Sequence, residues 1–146
     1  MSAPRLSSET VHATAVAIGG RAVLIGGRSG TGKSDLALRL IDRGAALISD
    51  DYTHVRRLKD RAIASAPAAI LGKIEVRGVG VVELEPVSDL PIALFVDLDR
   101  EPDRLPDMEE RRMLAGLPIP TIGLGGHEAS APLKVEAALR LHGLPA

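Results

Sequence analysis

The stretch AVLIGGRSGTGKSDLALRLIDRG, residues 22–44, decides the fold. A short aliphatic run, Ala22–Ile25, leads into a glycine-rich loop. Leu36, Ala37, Leu40 and Ile41 then recur at the spacing of one helix face, with Gly44 placed as its stop. Strand, loop and helix in that order predict an α/β domain. Within the loop, Gly27-Arg28-Ser29-Gly30-Thr31-Gly32-Lys33-Ser34 satisfies the pattern G-x-x-x-x-G-K-[ST], which this composition would produce by chance in roughly 0.4% of shuffled chains. Glycines let backbone N–H groups turn inward around phosphate oxygens, and the helix N-terminus adds about half a positive charge. In such a loop Lys33 reaches the β- and γ-phosphates and the Ser34 hydroxyl ligates Mg²⁺. The eight residues are therefore candidate nucleotide-binding residues, with a nucleoside triphosphate as the expected ligand.

Upstream, Val11–Ile18 is expected to pair with Ala22–Ile25 in a hairpin about Gly19-Gly20-Arg21, and residues 1–10 to be frayed. Downstream, Ala46–Ser49 reads as a short buried strand ending in Asp50-Asp51. Tyr52–Leu58 and Arg61–Ala66 form a second hairpin turning at Lys59-Asp60, and Pro67–Lys73 is a connector. Glu75–Val87 is rich in Val around Gly78 and Gly80. Leu90–Val96 is apolar without alternation, as in a strand buried on both faces. Asp97–Pro106 reads as a loop, and Asp107 as the cap of a helix through Leu114 that stops at Gly116. Pro118–Leu124 is a last strand, Gly125-Gly126-His127 a loop, and Pro132 opens a closing helix to His142. Several strands with three helices predict one domain over residues 1–146 with a mixed sheet, not a regular βαβ alternation.

Composition narrows the function. The 18 Lys and Arg nearly cancel the 19 Asp and Glu, so there is no general electrostatic footprint for nucleic acid or an acidic membrane. Tyr52 and Phe95 are the only aromatic residues, too few for base-stacking platforms. No apolar run has the length of a membrane span or a secretory signal, and cysteine is absent, so a cytoplasmic protein is expected.

A phosphate loop binds; chemistry also needs a carboxylate near the γ-phosphate. Asp50-Asp51 ends the strand after the loop's helix, where such groups lie. Neighbouring residues in a strand point to opposite faces, so one of the two is expected to face the phosphates. One could hold Mg²⁺ through water and the other accept a hydroxyl proton, although Asp-Asp is also an ordinary turn composition. Glu75 and Arg77 share a face by alternation, which suits either a phosphate–Mg²⁺ site or an exposed ion pair.

His12, the loop at 26–44, the ISDD run at 48–51 and KIEVRGVGVVEL at 73–84 together resemble the catalytic domain of HPr kinase/phosphorylase, in order and spacing over about residues 11–86. The resemblance implies a core similar to the nucleotide-binding fold of PEP carboxykinase. It also implies an ATP- and Mg²⁺-dependent kinase acting on a serine of HPr, the phosphocarrier of the phosphotransferase system, and a hexameric homo-oligomer. Carried over residue by residue, Lys33 holds the β- and γ-phosphates, and Ser34 and Glu75 bind Mg²⁺. The Asp50-Asp51 pair supplies the base, with a slight preference for Asp51. His12 matches the family's histidine, and Arg104 matches an arginine in a D-R-L-G-like stretch, where Pro106 replaces the glycine.

The departure lies further on. Longer members carry a P-V-R-P-G-R-N-like loop linked to removal of the phosphate by inorganic phosphate. Here the stretch from Ile122 to Glu128 reads IGLGGHE, with neither arginine. The expected activity is thus that of a kinase with weak phosphorylase activity. A P-loop kinase of a small hydroxylated metabolite and a nucleotide-sensing module without catalysis are the alternatives.

Overall fold

The aliphatic runs pair into a nine-stranded mixed sheet, with a separate two-stranded hairpin beside it. The computed structural model describes residues 7–108 and 110–146. Its strands are β1 (Ser8–Val11), β2 (Ala13–Ile18), β3 (Arg21–Gly26), β4 (Ala46–Ser49), β5 (Thr53–Leu58), β6 (Arg61–Ser65), β7 (Lys73–Val76), β8 (Gly80–Glu83), β9 (Leu90–Asp97), β10 (Arg111–Leu114) and β11 (Leu117–Gly123). Two α-helices, α1 (Lys33–Asp42) and α2 (Ala131–His142), complete it. The sheet runs β1-β5-β6-β9-β3-β2-β4, and the β10–β11 hairpin joins at β9.

β9 is the pivot. Its first residues pair antiparallel with β6, its body runs parallel to β3, and its last residues run parallel to β11. Its sequence does not alternate because both faces are covered, and a bulge shifts its register: Ala22 faces Ile92 but Val23 faces Leu94, leaving Ala93 between them. The bulge sends both Ala93 and Leu94 to one face, while Ile92 and Phe95 serve the other. The Ala93 carbonyl accepts a 3.0 Å bond from the Leu144 N–H, which ties down the C-terminal segment.

Each face has its own core. Leu36, Ala37 and Leu40 of α1 and Val135, Ala138 and Leu139 of α2 pack on Val16, Val23, Ile25 and Leu94. Full burial of each large aliphatic side chain stabilises the fold by about 1.5–3 kcal/mol. On the other face Ala15, Leu24, Ile48, Val55, Phe95, Leu114 and Ile119 form the second cluster.

Two expectations need correction. Residues 8–11 are not frayed: they add an edge strand to β5, while residues 1–6 lie outside the described residues. The helix expected from Asp107 to Leu114 is absent over Arg111–Leu114, which is a strand paired with β11; Glu109 lies outside the described residues. Gly116 is not a helix stop. It shares a two-residue turn with Ala115, φ 80° and 49°, the handedness that matches strand twist in tight hairpins. Pairing distant in sequence, with Leu114 and Ala115 buried behind the strand, outweighed the local capping signals.

The C-terminal ends of β3, β9 and β11 lie side by side. The glycine loop, the loop after Asp97 and the turn at 125–128 therefore converge on one edge of the sheet, where open α/β sheets bind ligands.

Candidate functional site

The glycine loop leaves β3 at Gly26 and enters α1 at Lys33. Gly27, Gly30 and Gly32 have φ of 151°, 88° and 94°, conformations that L side chains rarely adopt. Gly32 is the N-cap residue of α1 and no side chain caps the helix, so the first turn's N–H groups remain available to an anion. The Lys33 side chain is buried and folded back: Nζ donates to the Gly27 carbonyl at 2.7 Å and to that of Arg28 at 3.4 Å.

Around this loop opens a cleft of about 750 Å³, within the range that takes a small organic ligand. Ser29, Gly30, Gly32, Lys33 and Ser34 line it from the loop and α1, and His12, Asp50, Asp51, Tyr52, Glu75, Arg77 and His127 are among its other lining residues. Gly27, Arg28 and Thr31 act from behind. Gly27 makes the turn, and Thr31 Oγ donates to the Arg28 carbonyl at 2.6 Å. Arg28 is held by Asp99, through its backbone N–H at 3.1 Å and its Nε at 3.1 Å. Those bonds, the backbone one foremost, keep the Asp99 carboxyl below the ordinary carboxylate range.

The two aspartates are distinct. Asp50 is buried, and its Oδ1 accepts from Ser34 Oγ at 2.5 Å and Thr14 Oγ at 3.1 Å. Its Oδ2 accepts from the Glu75 N–H at 2.9 Å, which pins β7 to the site. Asp51 is half-exposed, and His12 Nε2 lies 2.9 Å from its Oδ1. The His12 ring stacks on Tyr52, centroids 4.9 Å apart. Strand alternation does not apply to the pair, because β4 ends at Ser49 and Asp51 turns left-handed at φ 68°. Both carboxylates consequently line the same cleft.

Of the sequence-predicted residues outside the glycine loop, only Arg104 stays away. It lies exposed in the loop after β9 and does not line the cleft. Three residues at the site escaped the candidate set. Thr14, fully buried, bridges the aspartates by donating to Asp50 and accepting from the Asp51 N–H at 3.1 Å. Tyr52 backs His12. His127 reaches the loop from the turn after β11, its Nε2 3.0 Å from the Gly30 carbonyl. A threonine within an aliphatic strand carries no signal of its own; a histidine after two glycines carries a faint one.

The model of the HPr Serine kinase C-terminal domain matches residues 5–125. The chain belongs to this family. The HPr kinase/phosphorylase of Clostridium botulinum (strain Eklund 17B / Type B) is 42% identical over 83 residues, covering 56% of this chain and 27% of that protein. That of Clostridium tetani is 35% identical over 133 residues, covering 82% of this chain and 44% of that protein. The chain thus spans less than half the length of these relatives. The solved Hpr(Ser) kinase/phosphatase of Coxiella burnetii superposes with a TM-score of 0.80 at 28% identity, covering 92% of this chain and 90% of that one. The mixed sheet with two helices is therefore the HPr kinase C-terminal fold. Among the described residues no helix is long and apolar enough to cross a membrane.

Proposed function

We propose that this chain transfers the γ-phosphoryl group of ATP, with Mg²⁺, to a serine hydroxyl of an HPr-type phosphocarrier protein. The observation that carries this reading is the division of labour between two adjacent carboxylates. Asp50 is bound to the loop's own Ser34 at 2.5 Å, whereas Asp51 stands free of the loop and is paired with His12 at 2.9 Å. The phosphate-binding loop thus has a carboxylate on each of the two duties a kinase requires.

Oxygen donors suited to Mg²⁺ line the cleft: Ser34 Oγ, bound to Asp50, and Glu75, whose backbone N–H is bound to the same aspartate. Among the described residues no group of three or more His, Asp or Glu could enclose a metal unaided. Hydroxyl and carboxylate oxygens are donors that suit Mg²⁺, whose remaining positions water and nucleotide oxygens would fill. Mg²⁺ held by these residues would supply charge neutralisation for the β- and γ-phosphates. Lys33 adds a point charge, exchanging its bonds to the Gly27 and Arg28 carbonyls for phosphate oxygens.

Beside Asp50, Asp51 takes the proton from the acceptor serine. The serine oxygen forms its bond to the γ-phosphorus as the bond to the β-phosphate oxygen breaks, releasing ADP; Asp51 then passes its proton to solvent. His12 orients the carboxylate, and the Asp51 N–H bond to Thr14 holds the left-handed turn that presents it. The same reading includes a cytoplasmic homo-oligomer, hexameric by resemblance, which light scattering tests.

The deciding experiment incubates the purified protein with ATP, Mg²⁺ and HPr and measures intact mass. A phosphate-sized gain on HPr is expected. ATP consumed without that gain points to a small-molecule acceptor, and tight ATP binding without consumption points to a sensor; either overturns the proposal.

A further inference from the structure

His127 touches the glycine loop, yet phosphoryl transfer as derived above gives it no part. The contact has a defined polarity. A carbonyl oxygen only accepts, so the 3.0 Å contact between Nε2 and the Gly30 carbonyl makes Nε2–H the donor. In a planar trans peptide the C=O and the following N–H point in opposite directions. The far end of this peptide is bound too, since the Thr31 N–H donates to the Arg28 carbonyl at 3.1 Å. The Gly30–Thr31 peptide is therefore clamped at both ends, between two glycines with φ of 88° and 94°. Without the clamp these glycines would be the freest part of the loop.

The turn that presents the ring is built for close approach. A Cβ on Gly126 would lie 2.5 Å from the Thr31 carbonyl oxygen, and one on Gly125 would lie 2.7 Å from Glu128 Oε1. Arg39 reaches across from α1 and donates to the carbonyls on either side of His127, those of Gly126 and Glu128. From α2, Lys134 binds the Glu128 carboxylate at 2.6 Å. The ring lies over Gly32, where a Cβ would be 3.0 Å from its Cε1.

We propose that His127 is a positioning residue of the nucleotide site: its Nε2–H bond to Gly30 holds the loop in one conformation before phosphate arrives. It acts through the loop backbone, from the wall of the cleft. The inference rests on the nucleotide-site reading above. Pre-ordering a flexible segment strengthens binding by reducing what must be ordered on association. The effect therefore falls on nucleotide affinity and on the KM for ATP, not on kcat at saturation.

The test measures binding of a fluorescent ADP analogue, and steady-state kinetics, for the intact chain and three variants. Loss of one hydrogen bond predicts a rise in Kd and KM of about three- to tenfold for His127→Leu and His127→Ala. His127→Gln, whose amide nitrogen reaches the Nε2 position, is expected to restore both to within about twofold. Melting temperatures should stay together, because the ring is exposed. Leu and Ala variants that bind as the parent does would overturn the proposal and leave the nucleotide reading standing. So would a Gln variant as weak as the Leu variant. A parent chain that binds no nucleotide would overturn both.

Discussion

Gly26 is the last residue of β3 and the root of the glycine loop, and its replacement by alanine probes how the core supports the site. The backbone there is ordinary strand, so the added methyl meets no conformational penalty of its own. Its difficulty is steric: the Cβ would lie 2.4 Å from Phe95 Cζ and 3.0 Å from Cε1. Comfortable carbon contacts are about 3.5–4.0 Å, so something must retreat by about an ångström. Phe95 has little room, being buried among Leu24, Ile92, Leu114 and Ile119 with the Arg112 guanidinium 4.4 Å above its ring. Overpacking of this kind costs about 1–3 kcal/mol. For a chain of this size about 2 kcal/mol corresponds to a fall in melting temperature of about 6–8 °C. Because the displaced backbone is the loop's root, nucleotide binding should weaken with it. The assay is thermal unfolding of Gly26→Ala, Phe95→Leu and the double variant, read as a double-mutant cycle. The double variant is expected to be about 1–2 kcal/mol more stable than the sum of the single losses predicts. Additivity within about 0.5 kcal/mol, or a Gly26→Ala chain that melts with the parent, would refute the reasoning.

Lys33→Ala removes the loop's point charge, and a loss of phosphoryl transfer of at least about a thousandfold is expected with the fold retained. Near-normal turnover would dismiss the loop as the nucleotide site. Asp51→Asn keeps a residue that tolerates φ 68° but cannot accept the serine proton; kcat should fall about 10²–10⁴-fold with the KM for ATP little changed. A kcat within tenfold of the parent would move the base elsewhere. In the reverse direction, phosphoserine-HPr with excess inorganic phosphate and Mg²⁺ should release pyrophosphate much more slowly than the forward reaction runs. The reason is that Gly125-Gly126-His127-Glu128 offers no arginine fork for the acceptor phosphate. Equal rates would show such a fork to be dispensable. Asp99 has its carboxyl held below the ordinary value of 3.8, so the stability it contributes through Arg28 is present above that pH and is lost as pH falls through its lowered folded value. The melting temperatures of the parent and Asp99→Asn should accordingly differ at pH 6 and converge as the pH drops below about 3.8; a constant gap would disprove the link.

Features that depend on neighbours along the chain are legible before folding is considered. Glycines at 27, 30 and 32, the Lys33-Ser34 pair and the helical spacing of Leu36, Ala37 and Leu40 act within a few residues of one another. The loop and α1 were accordingly legible, as were the hairpins at Gly19-Gly20 and Lys59-Asp60, where turn residues separate apolar runs. Tertiary structure decided what depends on partners far away. Arg111–Leu114 became a strand because β11 offers its backbone and the second core takes Leu114, which no local capping signal registers. Asp50 and Asp51 entered one cleft because a left-handed turn, held by Thr14 from β2, cancels strand alternation. Arg104 stayed out of that cleft, and His127, 97 residues from Gly30 in sequence, came to lie on the loop. The parallel pairing of β9 with β3 and β11 brings those loops to one edge, and hydrogen bonds across such distances follow from the assembled sheet, not from any window of residues.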